Sequence, residues 1–111
     1  MRMQTKILTA IRERAEAAGL EWIDEPYCAN VGVVYMMRGL ESLLSFGYDF
    51  QAGDATLQFF PQGKEVVRTC GYTHRDCVLH ARLRYNDLGG QMREVYQLID
   101  SLLAKADGGQ A

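Results

Sequence analysis

Four metal-competent side chains, Cys70, His74, Cys77 and His80, fall within eleven residues of one another. Thiolates and imidazoles are the donors that zinc prefers. The spacing, however, lacks a paired Cys-x-x-Cys, and a strand sends positions three apart, such as Cys77 and His80, to opposite faces. A thiol beside a histidine also meets one requirement of a nucleophilic centre, but nothing in the sequence places an orienting carboxylate or an oxyanion donor. A small zinc protein is therefore the third of three readings. No catalytic residue, cofactor or metal ligand is assigned, and the chain is not read as an enzyme.

The same stretch concentrates positive charge. His80, Arg82 and Arg84 recur at every second position, with Arg68 expected across a hairpin from them and His74 and Arg75 at its tip. Guanidinium groups on a rigid sheet suit phosphate and carboxylate, because their planar donors bind such groups in pairs. The surface fits an acidic protein partner, a phosphorylated small molecule or single-stranded RNA. It also fits a solvated face whose charges keep sheet edges from pairing wrongly. The formal net charge of −2 weighs against nucleic acid, since backbone affinity rests on neutralised phosphates. A third group, Tyr35, Met36 and Met37, offers an adaptable apolar contact if one sheet face is open, and a core strand if it is not.

These residues need elements to position them. Ile7, Leu8, Ile11, Ala15 and Ala18 share one side of a helix over 3–18, which Gly19 is suited to end and Leu20 to cover. Leu20–Asp24 reads as a short strand stopped by Pro26. Val31–Met37, apolar at nearly every position, reads as a central strand buried on both faces. Leu44, Phe46, Tyr48 and Phe50 alternate with polar or small residues, as do Ala55, Leu57 and Phe59, and turns fall at 52–54 and 61–63. Val66–Tyr72 is expected to return, and Thr73–Asp76 to close a hairpin onto a strand in which Cys77, Leu79, Ala81, Leu83 and Tyr85 face inward. Asn86 and Asp87 then offer oxygens to the first amides of a last helix. Its face is Met92, Val95, Tyr96, Ile99, Leu102, Leu103 and Ala106. The fold class is α+β: an antiparallel sheet of about five or six strands flanked by an N-terminal and a C-terminal helix.

A length of 111 residues, 48% of them hydrophobic and 23% charged, fits one globular domain over 1–106 with a glycine-containing tail at 107–111. Three cysteines without an export signal point to free thiols and a cytoplasmic protein, and no apolar run is long enough to cross a bilayer. There is no phosphate loop, Gly-x-Ser-x-Gly elbow, His-Glu-x-x-His or dinucleotide fingerprint. Charge is divided: Glu13, Glu16, Glu21, Asp24, Glu25, Glu41, Asp49 and Asp54 precede the basic stretch. In outline a small helix-flanked antiparallel domain resembles the secretion chaperones of bacterial pathogens, and a short chain without motifs is similar to inhibitors that phages carry against bacterial defences. The expectation is a non-enzymatic module that occupies another protein, with a homodimer as one arrangement and no membrane partner. The alternative is an anion or single-stranded RNA binder.

Overall fold

The computed structural model of the protein describes residues 3–64, 66, 75–86 and 88–107. Helix α1 (Met3–Ala17) leads into strands β1 (Glu21–Pro26), β2 (Val31–Arg38), β3 (Glu41–Gln51), β4 (Asp54–Pro61) and β5 (Leu79–Arg84), and helix α2 (Leu88–Asp107) follows. The strands form one five-stranded sheet in chain order, every pair antiparallel. This is the α+β architecture that the sequence predicts. Among the described residues no helix is long and apolar enough to cross a membrane.

The end of α1 shows how local sequence sets the frame. Gly19 takes a φ of 84°, a left-handed conformation that costs glycine nothing in side-chain clash. Its amide then donates to the Glu16 carbonyl and the Leu20 amide to the Ala15 carbonyl, which closes the helix and turns Leu20 into the core. β1 starts one residue later and runs through Pro26, which is its last residue.

Directly opposed residues in antiparallel strands share a face, so the register sorts the whole sheet. Val34 lies opposite Phe46, Phe46 opposite Phe59, Leu57 opposite Ala81, and Ala55 opposite Leu83. These side chains form the core with Ile7, Ile11 and Ala15 of α1 and Met92, Val95 and Ile99 of α2, so both helices cover this one face. Burial of each large apolar side chain here contributes about 1.5–3 kcal/mol. The ring centroids of Phe46 and Phe59 stand 4.9 Å apart in the middle of it. The helices are clasped at the surface by Arg14, which donates to both oxygens of Asp100 and lies over the Tyr96 ring.

Two expectations are corrected. β2 is buried on one face only: Gly32, Val34 and Met36 are buried, while Val31, Val33, Tyr35 and Met37 are half-buried on the far face. It lies second from the edge, with no helix on its other side among the described residues. The succession of strands beside the basic strand also differs from the expected one. β4 pairs directly with β5, from Asp54 opposite Arg84 to Phe59 opposite Leu79, so no strand separates them. Most of the expected Val66–Tyr72 strand lies outside the described residues, and Val66 itself stands in no strand. Asp87, the tail beyond Asp107 and the side chains of Leu102 and Ala106 are likewise outside the description.

Candidate functional site

The register places His80, Arg82 and Arg84 on the face away from the helices, all exposed. They lie along β5, the last strand on that side of the sheet among the described residues. Asp54 stands opposite Arg84 but reaches diagonally to Arg82, whose Nη2 and Nε both donate to Oδ2 at 3.0 and 3.1 Å. One of the two arginines thus already has an acidic partner. Among the described residues Arg84 has no ion pair. Its backbone amide donates at 2.7 Å to Gln91 Oε1, so the start of α2 caps that end of the strand. Arg75 is exposed in the turn before β5, where Lys64 and Asp76 form a pair at 3.8 Å. Arg68 and His74 lie outside the described residues.

The zinc reading gains nothing here. Cys70 and His74 are outside the description, and among the described residues no three His, Cys, Asp or Glu side chains converge. Cys77 precedes β5 instead of starting it, and its thiol donates to the Leu79 carbonyl at 3.0 Å. Burial pushes that thiol's pKa up, away from the thiolate that binds metal.

The apolar trio is divided. Met36 is fully buried among the core residues and is corrected to a packing residue. Tyr35 and Met37 face the other way, in a half-buried strip with Val31 and Val33. Ser45, Gln58 and Phe60 are buried near the middle of this face, and exposure rises towards both edges.

The opposite margin lies along β1 and escapes notice in the sequence. Glu21, Ile23 and Glu25 point to the far face, opposite Met37, Tyr35 and Val33. Ile23 is 39% exposed, and among the described residues Glu21 and Glu25 hold no ion pair. Among the described residues the far face therefore carries an acidic margin on β1, a half-buried apolar strip on β2 and a basic margin on β5. The signal in the sequence was the spacing of Glu21, Ile23 and Glu25, but Trp22 and Asp24 between them break any clean alternation.

On the helix side of the sheet, Tyr48 of β3 is 2% exposed and donates to Oδ1 of Asp24 in β1 at 3.0 Å. Burial, helped by that hydrogen bond, raises the pKa of its phenol. A groove of about 170 Å³ between α1 and β1 is lined by Thr5, Leu8, Thr9, Arg12, Trp22 and Asp24. A second cleft of about 310 Å³ at the end of the sheet has Gln4, Asn30, Gln51 and Tyr85 on its walls, with Tyr85 Oη donating to the Gln51 carbonyl. It gathers neutral polar groups and no charge.

No protein family, no curated protein and no solved structure matches this chain.

Proposed function

We propose that the protein is a non-enzymatic binding module that acts by occupying another protein, as an inhibitor or chaperone does, through the far face of its sheet. The observation that carries this is the arrangement of that face: opposite charges on the two outer described strands of one sheet, with half-buried Val33, Tyr35 and Met37 on the strand beside the acidic one. An apolar strip flanked by charge is how protein interfaces combine burial with orientation.

A phosphorylated small molecule or single-stranded RNA on the arginines is the less favoured reading. Asp54 holds Arg82 and also faces Arg84, which lowers the local positive potential that a phosphate needs. The test is capture of the native partner by wild type and by R82E/R84E. Loss of a partner on charge reversal supports the reading. Retention of every partner at wild-type level contradicts the role of the basic margin. Salt separates the alternative, since phosphate-driven affinity falls steeply between low and moderate ionic strength.

A further inference from the structure

We infer that the free side of β1 accepts an extended segment of a partner protein that carries two basic side chains four positions apart with apolar ones between them. The inference deepens the binding reading above by stating the chemistry of one partner segment. β1 is the last strand on its side of the sheet among the described residues. A strand added beside it would place alternate side chains on the two faces, as β1 does.

On the far face the added side chains would stand beside Glu21, Ile23 and Glu25. Cross-strand neighbours of opposite charge attract and like charges repel, so this row selects a basic, an apolar and a basic residue in turn. On the helix face they would stand beside Trp22 and Asp24. There the groove of about 170 Å³ against Thr5, Leu8 and Thr9 has room for one apolar side chain. Arg12 in its wall is paired with Glu16 at 3.3 Å, so the groove carries little free positive charge to repel a basic segment.

Edge charges commonly serve only to prevent aggregation. Here they do more than prevent it. A second copy presenting its own β1 would set glutamates against glutamates, whereas a basic segment meets complementary charge on one face and a groove on the other. The pattern is the same read in either direction, so strand polarity is left free.

Trp22 is the chain's single tryptophan and lies in β1, so its fluorescence reports the edge directly. The probe is a synthetic peptide K-V-V-T-R between glycine–serine spacers, with E-V-V-T-E as its acidic counterpart. Wild type is expected to give a saturable change with the basic peptide and at least tenfold weaker binding of the acidic one. E21K/E25K is expected to reverse that preference, a gain that an unfolded variant would not show. A basic peptide with aspartate at the groove-facing valine is expected to bind at least fivefold more weakly. No saturable change with wild type, or equal binding of the basic peptide by wild type and E21K/E25K, overturns the inference. Partner capture that still depends on Arg82 and Arg84 would then leave the broader binding reading standing.

Discussion

Gly32 is held to its identity by one neighbour. A Cβ there would lie 2.4 Å from the hydroxyl and 2.6 Å from Cζ of Tyr48, and 2.9 Å from the Pro26 Cα. Tyr48 is buried and tied to Asp24, so the ring has no free direction of retreat. Gly32→Ala is expected to cost about 1–3 kcal/mol in a denaturant titration, the usual range for overpacking. Tyr48→Phe removes one hydrogen bond to a charged acceptor and should cost about 1.5–3 kcal/mol at most, less in proportion to the exposure of Asp24. The phenol also sets a pH dependence. Its folded pKa is raised above its unfolded value near 10, so the folded state keeps a proton that the unfolded chain releases. Stability is therefore full below about pH 10 and lost as pH rises beyond it. The alkaline loss should be shallower in Tyr48→Phe, as chemical denaturation at stepped pH will show. At this scale the outward set His80, Arg82 and Arg84 was legible from alternation alone. Met36 was not, because Tyr35, Met36 and Met37 are all apolar and only the phase of the strand against the helices decides which is core.

At the scale of elements, the segments with one clear period were readable and their pairing was not. The 3.6 period of Ile7, Ile11 and Ala15 reports a single buried face, and the alternation in Leu44–Phe50 and Ala55–Phe59 picks out the helix-side core although both strands are buried on both faces at their middles. Val31–Met37 misleads because its half-buried face is apolar too. That β4 meets β5 directly depends on contacts across the segment between Pro61 and Leu79, to which no local pattern speaks. The acidic margin was hidden for a related reason: Glu21 and Glu25 acquire meaning only when β1 becomes an edge. Two measurements belong here. Gly19→Ala forces an ordinary residue into a left-handed conformation and should lower stability by about 1–2 kcal/mol, read from the thermal or denaturant midpoint. Asp54→Asn breaks a partly exposed pair with Arg82 and should cost less than about 1 kcal/mol. A larger loss would mean that the basic margin is held together by that pair.

For the whole molecule, the formal net charge of −2 conceals a dipole across one sheet face. Acid collects on β1 and base on β5, while two helices fill the other face with core. Such an arrangement gives little affinity by charge alone, but it orients a partner and makes association sensitive to salt. Reversing either margin should therefore slow association more than it speeds dissociation, because exposed rim charges act chiefly on encounter. Surface plasmon resonance at two ionic strengths will separate the two rates once a partner is in hand. The most direct measurement is a parallel capture from the native cell by wild type, R82E/R84E and E21K/E25K, with each bait's folding verified by circular dichroism. At least one partner held by wild type is expected to be depleted by reversal of a margin. An identical set of partners, in equal amounts, on all three baits would contradict it.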